Sequence, residues 1–330
     1  MKNVFCFGEL LLRLSPQLGG RWITQNTMPV FVGGAELNVA SALARWDIPV
    51  AYSTCLPDNY LSKEIIGSIK NKGIEIGDIR FSGNRIGTYY LPQGADLKNE
   101  GVIYDRAYSS FSELKPGQIE WDEVLQDKSW FHFSAISPAL NSNLATVCLE
   151  GVQAARNKKI TVSVDLNYRA KLWQYGKHPY EVMPQLVQHC DVVMGNLWAA
   201  ESLLGITSTL KESKGKTKQE LMDAAGQSMK QIHINYSQVS SIAYTFRLEK
   251  LYFGLLQHGP KLVVSKEFLL ENIIDKAGSG DCFMGGLIYG LYNQHQPKEM
   301  IDFAAAAAVN KLSIKGDATT ASVEEIKKGY

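Results

Sequence analysis

From Trp130 onward the chain alternates short apolar runs with stretches of helical period, and that alternation leaves few folds open. Trp130–Ser134, 160–166 and 191–195 read as strands, while 142–157 and 179–189 carry the spacing of helices. Strands separated by helices join as parallel neighbours through crossovers, and such a sheet is covered by helices on both faces. The expected core is therefore a mostly parallel α/β sheet.

The flanking regions add to this plan. Residues 3–7 read as a buried strand ending at Gly8, 35–46 and 60–72 as helices, and 49–55 as a strand. Residues 239–274 have β character, and helices follow near 280–293 and 297–313. Two stretches differ, about 11–33 and 77–108, where short alternating runs are broken by Pro16, Gly19-Gly20 and Pro29. They are expected to pair into a small second sheet, a lid over the strand ends where open α/β sheets bind ligands. No repeat and no low-complexity linker divides the chain, so 1–330 is read as a single domain with the lid segments inserted.

Composition excludes several classes. With 45% hydrophobic and 20% charged residues the chain can bury a sizeable core. A net charge of +1 without a basic stripe disfavours nucleic acid as a partner. The five cysteines are widely spaced and odd in number, which reads as reduced thiols, and the six histidines lack zinc-ligand spacing. No apolar run approaches the ~20 residues that span a bilayer, so a cytoplasmic protein without membrane contact is expected. An exposed lid edge makes a homo-oligomer conceivable.

The segment richest in chemistry is Asp275-Lys276-Ala277-Gly278-Ser279-Gly280-Asp281, followed by the apolar run from Cys282. A glycine-rich turn leads into a buried helix. The first amides of such a helix lack partners within it and attract phosphate charge. A carboxylate at that place opposes a phosphate unless it accepts a proton from an attacking hydroxyl, the layout phosphoryl transfer requires. Without further context the simpler reading of Asp281 is an N-cap worth ~1 kcal/mol. Two other nucleotide motifs fail. Gly215-Lys216-Thr217 has Leu210 where a P-loop needs glycine, and Gly278-x-Gly280 meets Phe283 where a dinucleotide fingerprint needs its third glycine.

Other segments decide between these readings. Ala277-Gly278-Ser279-Gly280-Asp281-Cys282-Phe283 resembles the C-terminal signature of the PfkB, or ribokinase-like, sugar kinases, usually Thr-Gly-Ala-Gly-Asp-x-Phe. Gly33-Gly34-Ala35-Glu36-Leu37-Asn38-Val39-Ala40 resembles their N-terminal signature, about 240 residues earlier. Within the family, the 2-keto-3-deoxygluconate kinases are most similar. That narrower likeness rests on Glu36, on Tyr104-Asp105-Arg106, on Phe131 to Leu140, and on Asp165-Leu166-Asn167-Tyr168-Arg169 with Leu172-Trp173.

The resemblance implies a ribokinase-like fold and an enzyme that moves the terminal phosphate of ATP, with magnesium, onto a sugar or sugar acid. It implies that Gly34, Tyr89, Tyr104, Arg106, Ile136 and Arg169 line the sugar pocket and that Asp317 closes it from the C-terminal side. Asp281 becomes the base, Gly278, Ser279 and Gly280 the anion hole, and Asn196 a residue of the nucleotide side. Arginine suits a carboxylate through its planar fork, so Arg106 and Arg169 favour an acidic sugar over neutral fructose. Against each stands the bland reading: a structural ion pair for the arginines, lid packing for the tyrosines, core for Ile136, a turn for Asp317, a helix cap for Asn196.

The pattern breaks twice. Asn196 opens the family's Asn-x-x-Glu motif, but its fourth position is Ala199, and Glu201 lies ~200° further round a helix. Where relatives carry Lys-x-Gly-x-x-Gly, this chain has Ser241-Ile242-Ala243-Tyr244-Thr245-Phe246-Arg247. The metal arrangement and the adenine contacts are left unassigned. A kinase for another sugar such as fructose, and a sugar- or nucleotide-binding protein without catalysis, are the rival readings.

Overall fold

The computed structural model describes residues 3–17, 27–93 and 101–329. The chain starts with β1 (Asn3–Phe7), β2 (Leu11–Leu14), β3 (Val30–Gly33), α1 (Ala35–Arg45), β4 (Val50–Ser53), β5 (Cys55–Leu56) and α2 (Tyr60–Asn71). Next come β6 (Arg80–Phe81), β7 (Gly87–Tyr90), β8 (Ile103–Asp105) and α3 (Trp121–Val124). The alternating region holds β9 (Lys128–Ser134), α4 (Ser142–Asn157), β10 (Thr161–Asp165), α5 (Pro179–Val187), β11 (Val192–Gly195), α6 (Leu197–Leu204) and α7 (Lys218–Asn235). A meander of β12 (Ser241–Arg247), β13 (Leu251–His258), β14 (Lys261–Val264) and β15 (Phe268–Leu269) precedes α8 (Ser279–Tyr292), α9 (Pro297–Leu312) and α10 (Val323–Lys327).

The main sheet runs β14-β13-β12-β11-β10-β9-β1-β4, with β15 also on β13. It is parallel from β4 to β12, and β13 and β14 then pair antiparallel. Successive side chains on a strand face opposite ways, and two cores result. Phe131, Phe133, Val162, Val164, Ile242, Tyr244 and Phe253 pack with residues of α4 to α7. Val4, Cys6, Ala243, Tyr252 and Leu256 pack on the other face with residues of α1, α8 and α9. Helices α8 and α9 touch almost backbone to backbone: a Cβ on Gly286 would lie 2.7 Å from Ala304 Cα. All five cysteines are free and buried. Among the described residues no helix is long and apolar enough to cross a membrane.

A second sheet, β3-β2-β7-β8, brings together the two expected lid segments. Leu11, Tyr89, Leu91 and Val102 turn inward and meet Ala277 of the glycine-rich turn. Val30, Val32 and Ile103 are exposed on the other side. One expectation is corrected. Residues 80–81 do not join this sheet but pair with β5, because the Arg80 amide is taken by the Thr54 carbonyl directly after α2 returns the chain to β4. The lid segments' residues 18–26 and 94–100, including Gly19-Gly20, lie outside the described residues.

Candidate active site

A cavity of about 680 Å³ lies between the lid sheet and the C-terminal ends of β10, β11 and β12. Every site residue expected from the resemblance lines it: Gly34, Tyr89, Tyr104, Arg106, Ile136, Arg169, Asn196, Gly278, Ser279, Gly280, Asp281 and Asp317.

The floor is the turn into α8. Gly278 has φ 78°, a left-handed conformation, and a Cβ there would fall 1.7 Å from the Asp317 carbonyl oxygen, so glycine is required. Ser279 Oγ donates to the Ala308 carbonyl at 2.9 Å and ties the turn to α9. Gly280 is different: a Cβ built on it meets nothing within 4 Å. Packing does not demand glycine there, and the space beside it is open for an anion to approach the backbone.

Asp281, 8% exposed, sits in the first turn of α8. Its carboxylate accepts a 2.7 Å hydrogen bond from Asn38 Nδ2 on α1. The two signature segments thus meet through one bond. Burial pushes the Asp281 carboxyl up to about 6, partly opposed by the Asn38 hydrogen bond and by the positive charges of Arg169 and Lys311. Such a group is ionised at neutral pH and still basic enough to take a proton. The turn before α1 is as constrained as the one before α8: Gly34 has φ 142°, and a Cβ would lie 2.3 Å from the Glu9 carbonyl oxygen.

Behind this floor lies a buried ionic network that sequence reading missed. Arg13, 1% exposed, donates from Nε to Asp317 at 2.7 Å and from Nη2 to Asp275 at 2.6 Å. Asp317 also accepts from the Tyr89 hydroxyl at 3.0 Å, and burial raises its carboxyl above the ordinary range. Asp275 accepts from the Ala277 and Gly316 amides. Arg13 therefore joins the lid strand β2 to both ends of the C-terminal segment. The available signal was the period of two in Leu11-Leu12-Arg13-Leu14, which puts Arg13 on the inward face with Leu11. Lys311, fully buried, donates to the Ile314 carbonyl at 2.9 Å. Glu36 is also buried, accepts from the amide and hydroxyl of Ser134 at 2.8 and 2.6 Å, and is raised to about 7 by desolvation.

At the lid end, Arg106 donates from Nε to Glu9 at 2.8 Å and from Nη2 to the same carboxylate, which Ser109 also supports. Its guanidinium lies 5.9 Å from the Tyr104 ring centre. Arg106 thus forms a structural ion pair while lining the cavity. Half-buried Arg169 donates to the Tyr168 carbonyl at 2.9 Å. At the far end Asn196 is a helix cap, its Oδ1 accepting from the Trp198 and Ala199 amides at 3.1 and 2.9 Å. Glu201 points elsewhere and pairs with Lys211 at 3.6 Å, so it does not stand in for a carboxylate at Ala199. The loop that imitates a P-loop ends at Thr217, which caps α7.

Comparison with known proteins adds the context. The family model described as pfkB family carbohydrate kinase matches residues 1–324. A curated relative, 2-dehydro-3-deoxygalactonokinase of Haloferax volcanii, is 27% identical, covering 98% of this chain and 94% of its own. The crystal structure of 2-dehydro-3-deoxygluconokinase from Thermotoga maritima superposes with a TM-score of 0.89 at 32% identity over 99% of both chains. A fructokinase from Xylella fastidiosa with bound ATP shares the fold at 20% identity, with a TM-score of 0.78 over 99% of this chain and 97% of that one.

Proposed function

The chain belongs to the pfkB family of carbohydrate kinases, and on that premise we propose that it phosphorylates a 2-keto-3-deoxy sugar acid at its terminal hydroxyl with ATP. The observation that carries this reading is one cavity in which a buried carboxylate, Asp281, stands beside an open glycine turn while two arginines line the lid end. The names of the relatives, a kinase for the galactonate-derived keto acid and one for its gluconate epimer, point to the same substrate class.

The sugar acid lies under the lid. Arg169 and the remaining Nη1 of Arg106 hold its carboxylate and neighbouring oxygens; Glu9, by holding the other two nitrogens of Arg106, fixes the direction of that fork. Tyr89, Tyr104, Ile136 and the Gly34 backbone shape the pocket, and Asp317 backs it. Asp281 takes the proton of the terminal hydroxyl as that oxygen bonds to the γ-phosphorus and the bond to the β-phosphate oxygen breaks, releasing ADP. The amides of Gly278, Ser279 and Gly280 face the charge on the moving group. Lid contact with Ala277 keeps water from that site.

Magnesium is the ion such a transfer uses, neutralising the phosphate oxygens. Among the described residues no cluster of three or more acidic, histidine or cysteine side chains stands ready to cage a metal. When magnesium is bound with ATP, Asp165 and Asn196, at neighbouring strand ends on the cavity wall, would hold its water shell.

The test is ADP release from ATP and magnesium with 2-keto-3-deoxygluconate, 2-keto-3-deoxygalactonate, fructose and ribose, using Asp281→Asn as control. Turnover on a keto acid that the variant loses is expected. Turnover on fructose or ribose alone refutes the substrate class, and a folded Asp281→Asn protein with normal turnover refutes the base.

A further inference from the structure

The end of β12 is one of the two places where this chain departs from the family pattern, and the register of that strand shows how Arg247 is placed. Arg247 lies directly opposite Tyr252 on β13, and Thr245 opposite Gly254. Residues opposite one another in an antiparallel pair share a face of the sheet. Tyr252 packs against Phe283 of α8, ring centres 6.5 Å apart, and a Cβ on Gly254 would touch Phe283 and Ile301. Phe246, between them, turns to the other core. Arg247 therefore projects on the face that α8 covers, beside Tyr252. It is half-buried and lines the same cavity as Gly280 and Asp281.

Its place along the sheet separates it from the sugar. Ile136 follows β9, Arg169 follows β10, Asn196 follows β11, and Arg247 closes β12. At 4.8 Å per strand, Arg247 stands about 10 Å beyond the strand that carries Arg169, on the side away from the lid. A ligand that reaches from the Gly278–Gly280 turn toward Arg247 carries negative charge along its length and extends outward from the point of transfer.

We infer that Arg247 is a phosphate-binding residue for the nucleotide: its guanidinium grips the non-transferred phosphates of ATP while the α8 amides hold the terminal one. This rests on the kinase reading for the ligand's identity. The chemistry is that of a planar fork on phosphate oxygens, which a lysine copies only in charge.

The experiment is calorimetric titration of ATP with magnesium into the wild-type chain, Arg247→Met and Arg247→Lys without sugar, alongside steady-state kinetics. Arg247→Met is expected to weaken ATP binding and raise KM for ATP by about tenfold or more, with Arg247→Lys intermediate. KM for the sugar acid stays near its wild-type value. Equal ATP affinity in wild type and Arg247→Met overturns the inference, as does a rise in the sugar KM alone. If the wild type turns over none of the sugar acids but binds ATP in an Arg247-dependent way, the substrate reading fails and this one stands. A folded wild-type chain that binds no ATP sinks both.

Discussion

The lid end of the cavity and the far end, at β11 and β12, are held together differently. At the lid end buried polar contacts join residues far apart in the chain: ion pairs from Arg13 to Asp317 and Asp275 and from Arg106 to Glu9, and a hydrogen bond from Asn38 to Asp281. At the far end the ties are local, a cap made by Asn196 on its own helix and a hairpin that aligns Arg247 with Tyr252. Buried, long-range charge networks cost desolvation and tolerate no lost partner. Local caps are worth little and can change. Of the family motifs, the two signatures that meet as Asn38 and Asp281 are both present, while the far end keeps Asn196 but has Ala199 and lacks Lys-x-Gly-x-x-Gly.

The largest effect tests the junction of the two ends. Asp281→Asn should lower kcat by about 10²–10⁴-fold, measured as ADP release, because the attacking hydroxyl loses its proton acceptor. The lid network comes next. Arg13→Met should destabilise the fold by on the order of 3–5 kcal/mol in denaturant titration, since Asp275 and Asp317 would remain buried without a counter-charge. The loss should be smaller at pH 5 than at pH 8, because burial already raises the Asp317 carboxyl and without Arg13 it takes up a proton more readily in acid. Wild-type stability in this variant would remove the contrast drawn above.

Acid should slow the enzyme before it unfolds it. With the Asp281 carboxyl near 6, kcat should fall as pH drops through about that value, the base becoming protonated. The linkage runs in the opposite sense. A carboxyl raised from 3.8 to about 6 lends stability at low pH that is lost as pH rises through 6. Asp281→Asn should therefore raise Tm at pH 8 more than at pH 5, the gain being on the order of 1–3 kcal/mol. A Tm that does not rise at pH 8 would mean that Asn38, Arg169 and Lys311 fully offset its burial. The smallest effect belongs to the far end: Asn196→Ala should cost about 1 kcal/mol, the worth of a cap, in the same titration.

Much of this was legible in the sequence. Apolar period and turn residues act over a few positions, so the alternating strands, α8, α9 and the lid strands could be placed before any coordinates. Ala277 to Phe283 and Gly33 to Ala40 were readable as glycine turns before helices, because left-handed backbone and close approach leave no other residue. Asn196 as a cap follows equally from local chemistry. What a charged side chain meets across 200 or 300 residues has no local signature. Arg13 looks like any polar residue of a short strand until β2 is laid beside β7 and over Asp275 and Asp317. Lys311 looks like the basic end of a surface helix until α9 packs beneath the glycine turn. Arg106 read as a ligand contact ahead of an ion pair, and only the fold put Glu9 within reach of it. The sequence alone determined where the elements and their glycine-bearing turns lie, since those depend on backbone geometry near at hand. The tertiary structure decided which charges are buried together, since that depends on how two sheets and three helices close around one cavity.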